Sequence, residues 1–304
     1  MKLAVTAWDL SNVEALQRIP DQAAKAEAMG FEGFWLPENH FAGPAALSAP
    51  LILLAAAAAR THTIDLGTTS LVLPIRHPVS VAEEVAMLDQ IAQGRLILGL
   101  GRGFSEDLFE VFGVDPRQKR ALFKQSLSQM LSIWSGEAIH HKDDRALYLS
   151  PRPYQSPHPR LWIAAFGPLA LKQAAAFGCP YLASPMETFA ELTQNLAQYR
   201  AALEAADQVQ PAVVPVMRTI FITEDTALAT AVSEQLRQES RRAASQDQPD
   251  QPAFIVGPAT FVEETLARYS EDLGVNYLIA RGRIKGITEA QQLASHAQLI
   301  TLYR

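Results

Sequence analysis

One cysteine, Cys179, stands alone in 304 residues, so the chain has no partner for it and no intramolecular disulfide. That fits a reducing compartment. Gly178 and Pro180 flank it and no histidine or aspartate motif accompanies it, so a buried, inert thiol is expected rather than a nucleophile. An excess of positive charge is also missing. The 26 Lys and Arg stand against 32 Asp and Glu, a net of −6. No global cationic field therefore draws nucleic acid or an anionic membrane, though a local basic patch for a phosphate stays open. Long apolar runs are absent as well. The most apolar stretch, residues 45–59, contains Pro50 and falls short of the ~20 residues that a membrane span needs. The first residues, MKLAV, lack the pattern of a secretory leader. A soluble, cytoplasmic protein is expected.

Hydrophobic residues make up 48% and charged residues 19%, which leaves material for a sizeable core. The length suits one large α/β barrel as well as two ordinary domains. Along the chain, short β-rich runs alternate with longer helical ones. Strands are expected at 3–7, 34–36, 64–73, 96–100, 161–165, 181–183, 213–222 and 277–280. Helices are expected between them, among them 13–29, 50–60, 77–93 and 119–134, and residues 136–159 read as an insertion. Eight β-α units with no dividing linker predict a parallel sheet closed into a single (β/α)8 TIM barrel spanning residues 1–304. Chemistry on such a barrel sits at the exits of the strands, here near Trp8, Pro37, Ser70, Gly101, Ala165, Ala183, Thr223 and Arg281.

Residues 94–113, GRLILGLGRGFSEDLFEVFG, hold the most informative of these exits. An apolar strand ends in Gly99, Gly101 and Gly103, with Arg102 between the last two. Glycines there let backbone approach a ligand, and an arginine suits a phosphate or carboxylate. A tight turn is the competing reading. The dinucleotide fingerprint fails, because Phe104 takes the place of its last glycine and the run follows several β-α units. Ala165, Phe166, Gly167 and Pro168 form a second exit, running into a helix whose first amides suit a phosphate; an ordinary β-α turn explains it equally. Arg120 alone reads as a solvated helix cation. His140, His141 and His158 lack ligand spacing, so a solvated hairpin is expected there and no metal site.

These pieces recur in a known order. Together with Leu36-Pro37-Glu38-Asn39-His40-Phe41, Leu73-Pro74, His77-Pro78, Leu88-Asp89-Gln90, Arg120-Ala121, the 164–178 stretch and Val256-Gly257-Pro258, the 94–113 segment resembles the bacterial-luciferase-like flavin-dependent monooxygenases. The resemblance covers nearly the whole chain. It implies an FMN-linked oxidoreductase that uses reduced FMN and molecular oxygen to oxygenate a small organic substrate. It places Arg102 and Arg120 where the flavin phosphate or its surroundings are held, Gly101 among the cofactor-binding residues, and Phe166 and Gly167 at the phosphate, where backbone amides replace the hydroxyls common in the family. A non-prolyl cis peptide joining Thr69 to Ser70 is implied under the flavin ring. Where the family often has Glu-His-His, this chain has Glu38-Asn39-His40, so Asn39 stands where a histidine would face the flavin. Asn cannot exchange a proton near neutral pH, which leaves His40 as acid, base or hydrogen-bond partner.

No nicotinamide-binding segment is visible, so a separate flavin reductase is implied as the source of reduced FMN. A deazaflavin-dependent hydride transfer on the same barrel is the alternative, and Asn39 keeps a non-catalytic flavin-binding protein in play. Family members pair through barrel helices, which implies a homodimer with 50–60 and 77–93 as candidate surfaces. The substrate is not identified; the strand-exit loops and the polar 245–252 stretch are expected to shape its pocket.

Overall fold

The computed structural model describes residues 1–143, 145–243 and 253–303. In chain order the elements are β1 (Lys2–Thr6), α1 (Val13–Gln17), α2 (Ile19–Met29), β2 (Gly33–Leu36), α3 (Pro50–Ala58), β3 (Asp65–Thr68), β4 (Leu71–Val72), α4 (Pro78–Ala92), β5 (Leu96–Gly101), α5 (Glu106–Val111) and α6 (Lys119–Ser135). There follow β6 (His140–Lys142), β7 (Arg145–Leu147), β8 (Arg160–Ala164), α7 (Pro168–Ala176), β9 (Tyr181–Leu182), α8 (Phe189–Ala205), β10 (Pro215–Ile222), α9 (Thr226–Ala243), β11 (Phe254–Gly257), α10 (Ala259–Leu273), β12 (Tyr277–Ala280) and α11 (Glu289–Leu302).

By contact density the chain divides into two compact units. The first comprises Met1–Asp9, Lys25–Trp35 and Ala165–Arg304. Its strands pair in parallel in the order β11-β10-β12-β1-β2, and Ala183, just after β9, bridges to Val216 of β10. Register is set by apolar residues facing one another, as in Leu3↔Leu278 and Ala4↔Ile279. The near-continuous apolar runs of these strands belong to a sheet covered on both faces. The second unit comprises Leu10–Ala24 and Leu36–Ala164. Here β5 is central, with β3 and β4 on one side and β8 on the other, all parallel. Every residue of β5 is buried.

Most expected elements are present, with three instructive differences. The helix expected over 13–29 is two, because Pro20 has no amide proton to continue the first; α1 ends at Gln17 with Arg18 as its cap, and α2 starts at Ile19. The strand expected over 64–73 is also two, β3 and β4, with Thr69 and Ser70 between them. Their peptide bond is cis, as the resemblance implied. A strand is added: β11 pairs with β10, Thr219 opposite Phe254, and only five residues separate the 245–252 stretch from Pro258. Within the expected insertion, β6 and β7 form an antiparallel hairpin on which His140 and His141 are exposed. The 245–252 stretch lies outside the described residues. No helix among the described residues is long and apolar enough to cross a membrane.

Trp8, at the exit of β1, packs inside the first unit, where its Nε1 donates to His296 Nδ1 at 2.9 Å. Burial pushes the His296 imidazole down to about 3 from an ordinary 6.5, so the folded state keeps it neutral. The unfolded chain takes up that proton first as pH falls. Stability from this group is complete above pH 6.5 and declines as pH drops towards 3, which urea midpoints across that range will show; a His296→Gln variant should flatten part of the decline.

Candidate functional site

The exit of β5 is built from glycines for a spatial reason. A Cβ at Gly101 would lie 2.1 Å from Ser70 Oγ, and Gly103 takes φ +73° with Val72 and Phe109 packed close. Only a bare backbone brings β5 this close to the Thr69-Ser70 segment. Thr69 is itself held by its amide, which donates to Leu36 O at 2.8 Å. Arg102 emerges between the two glycines, half-buried. Burial, and secondly the charge of Arg120, hold its guanidinium below the usual arginine range. Among the described residues Arg102 has no hydrogen bond or ion pair. Arg120 is exposed on the first turn of α6, and its neighbour Lys119 reaches Gly103 O at 3.4 Å. Three cationic side chains thus gather about one glycine-lined strand end with no carboxylate on Arg102. That donor set matches a phosphate dianion, whose oxygens would relieve the mutual repulsion of the arginines.

The exit of β2 carries the second cluster. The Glu38 side chain is 0% exposed, and a buried carboxylate needs a donor for each oxygen. Oε2 accepts from the Val72 amide at 2.7 Å, and Oε1 accepts from an Arg76 Nη at 2.8 Å. His40 Nε2 lies 2.7 Å from the same Oε1. The His40 ring meets Phe112 edge to face at a centroid distance of 5.4 Å. Asn39 is used otherwise. Its amide donates to Leu47 O at 3.0 Å and its Oδ1 accepts from Leu47 N at 2.7 Å, so its carbonyl pins the turn that follows β2.

The structure therefore places Asn39, His40, Thr69, Ser70, Gly101, Arg102 and Arg120 in the second unit. Glu38 and Arg76 are the residues that motif reading passed over. A carboxylate two residues beyond a fully buried strand is the signal that marks Glu38; Arg76, far along the chain, carries none. Phe166 and Gly167 belong to the first unit. Phe166 is exposed, and Gly167, at φ +81°, caps α7 without a side-chain bond while Pro168 opens the helix. That is a helix start presenting backbone alone.

Cys179 is buried, and burial pushes its thiol up to about 12. Since the thiolate is the reactive form, its fraction at pH 8 is on the order of 10⁻⁴. Iodoacetamide at pH 8 should leave the native protein unlabelled for hours and label it fully in guanidinium, as read by intact mass.

Parallel β-α units with their glycine-lined and cationic residues at strand exits define an α/β protein of the kind that holds ligands at strand ends. Within that class the chain belongs to the luciferase-like monooxygenase family, whose description matches residues 2–268. Limonene 1,2-monooxygenase of Rhodococcus erythropolis is 32% identical over 174 residues, 56% of this chain and 42% of that protein. The chain spans about half the length of several curated relatives that it matches. Among solved structures, the oxygenating constituent of 3,6-diketocamphane monooxygenase from Pseudomonas putida, in complex with FMN, superposes with a TM-score of 0.79 at 18% identity, covering 98% of this chain and 96% of that one. A coenzyme F420-dependent secondary alcohol dehydrogenase gives a TM-score of 0.78 at 17% identity, covering 100% and 99%. These likenesses show the fold: the chain shares the α/β TIM-barrel architecture of the luciferase-like enzymes.

Proposed function

We propose that the protein is a flavin-dependent monooxygenase that uses reduced FMN and molecular oxygen to oxygenate a small organic substrate. The observation that carries this reading is Arg102, a half-buried cation between two glycines with no partner of its own among the described residues. Arg102 and Arg120 hold the flavin phosphate, Gly101 lets the cofactor approach β5, and Thr69 and Ser70 line its ring. Bound FMN supplies the redox chemistry with oxygen. The chain's own residues bind and orient it, and exclude water from the reacting centre. His40, already hydrogen-bonded to a carboxylate, moves the proton that Asn39 cannot. Phe166 and Gly167, at the start of α7, present backbone amides suited to an anion.

The visible spectrum of the purified protein mixed with oxidised FMN tests the cofactor. A red-shifted, structured flavin band is expected, and oxygen consumption with reduced FMN should exceed the free-flavin background. A band shift with a deazaflavin and none with FMN would favour the second reading, hydride transfer with a deazaflavin, which the fold shared with the F420-dependent dehydrogenase supports. A flavin reductase as separate partner belongs to the same proposal, supported by the solved relative's being the oxygenating constituent of its monooxygenase. A cytoplasmic location and a single barrel domain over the whole chain complete it.

Homodimer formation is a further part of the proposal. Ile52 of α3 and Met87 and Ile91 of α4 are exposed large apolar residues on the two helices expected to pair. Light scattering at micromolar concentration should give twice the 33.3 kDa chain mass, and Ile52→Lys together with Ile91→Lys should halve it.

A further inference from the structure

We infer that Glu38 is a positioning residue: it fixes the His40 ring with Nε2–H given to the buried carboxylate, leaving Nδ1 as the nitrogen that takes up a proton. This rests on the reading above, in which His40 is the proton-handling group. A carboxylate has no proton to give, so a ring nitrogen 2.7 Å from Oε1 is the protonated one. A neutral imidazole has a single N–H, and Nδ1 is therefore left with its lone pair. No hydrogen bond to Nδ1 occurs among the described residues.

The anchoring of Glu38 makes this a fixed geometry. Its other oxygen is bound to the amide of Val72, and Val72 lies in β4, opposite Gly101 of β5. The carboxylate thus takes its position from paired strands rather than from a loop. Arg76 supplies the counter-charge on Oε1 at 2.8 Å and holds Ser48 O at 3.4 Å. Phe112 and Phe41 flank the imidazole at centroid distances of 5.4 and 5.8 Å, restricting its rotation. A Glu38 that served only to neutralise Arg76 would need no histidine at hydrogen-bond distance on the same oxygen. The geometry gives Oε1 two donors, and the second is His40.

Proton and ¹⁵N resonances of the histidine rings in the flavin-free full chain test this, with His40 assigned from the signals lost in His40→Gln. The measurement is made at alkaline pH, where a free imidazole is neutral. In the unsubstituted protein Nε2 should carry a downfield proton that exchanges slowly with water, and Nδ1 should show the ¹⁵N shift of an unprotonated nitrogen. Glu38→Gln replaces a charge-assisted bond by a neutral one, so the Nε2 proton should move upfield and exchange faster. An unprotonated Nε2 in the unsubstituted protein overturns the proposal, whether or not the variant folds. So does an Nε2 proton whose shift and exchange are unchanged in a folded Glu38→Gln. Binding of oxidised FMN, read on the same samples, separates the two levels of argument. A fixed Nε2–H in a protein that binds no flavin sinks the flavin reading and leaves the tautomer standing. Flavin binding with an unprotonated Nε2 does the reverse.

Discussion

Replacing Arg102 with alanine is expected to weaken FMN binding by roughly 1.5–3 kcal/mol, the range for a hydrogen bond to a charged group. That is about tenfold to more than a hundredfold in dissociation constant. Riboflavin, which lacks the phosphate, should bind the variant and the unsubstituted protein alike. The comparison separates loss of one phosphate contact from damage to the pocket. Arg102 is suited to such a clean result because it has no hydrogen bond or ion pair among the described residues, so its removal strands no buried partner. Its guanidinium is already held below the arginine range by burial and by Arg120, so a bound dianion gains from both cations at once. Arg120→Ala should show the same selectivity more weakly, since Arg120 is exposed and its interaction is screened by water. Equal losses for FMN and riboflavin would make Arg102 a structural residue. No loss for either would remove it from the site.

Much of this architecture is legible in the chain because parallel sheets bury both faces of each strand. LILGLG at 96–101 and YLIA at 277–280 read as strands from apolarity alone, and both are fully buried. Glycine was legible where it ends a strand, since Gly101 is required by the approach of Ser70. The Thr69-Ser70 cis peptide was implied by family resemblance, not by those two residues. Long-range polar pairing was the part that could not be read. Arg218 sits inside the apolar run of β10 and is fully buried, yet its Nε donates to the Tyr269 hydroxyl at 3.0 Å and an Nη to Ser184 O at 3.1 Å. Those partners lie 51 and 34 positions away, so no local spacing announces them. Glu38 shows the same limit at the site. Its neighbour His40 is visible in the motif, but Val72 and Arg76 reach it only through the fold. The substitution of Asn39 for a histidine was visible too; its role as a pin for Leu47 was not.

The second large effect is expected on stability, from Gly282→Ala at the exit of β12. A Cβ there would lie 2.1 Å from Thr6 O and 2.4 Å from Ala7 O, and both are backbone atoms at the end of β1. The strain has no cheap outlet. Rotating a side chain relieves nothing, and β1 is tied to β12 from Lys2↔Tyr277 to Val5↔Ala280. Moving Gly282 away breaks the bond from its amide to Thr6 Oγ1 at 2.8 Å. Overpacking of this kind costs roughly 3 kcal/mol, at the upper end of the usual range. For a chain of this length that lowers the melting temperature by about 5 °C. Gly113→Ala is the control that isolates the cause. Gly113 has φ +66° and nothing within 4 Å of its Cβ position, so alanine there suffers only the left-handed backbone conformation, about 1–2 kcal/mol. Gly282 has no positive φ to contribute, so a larger loss at 282 than at 113 measures steric contact alone. If calorimetry found Gly282→Ala as stable as the unsubstituted protein, the close packing of this exit against β1 would be wrong.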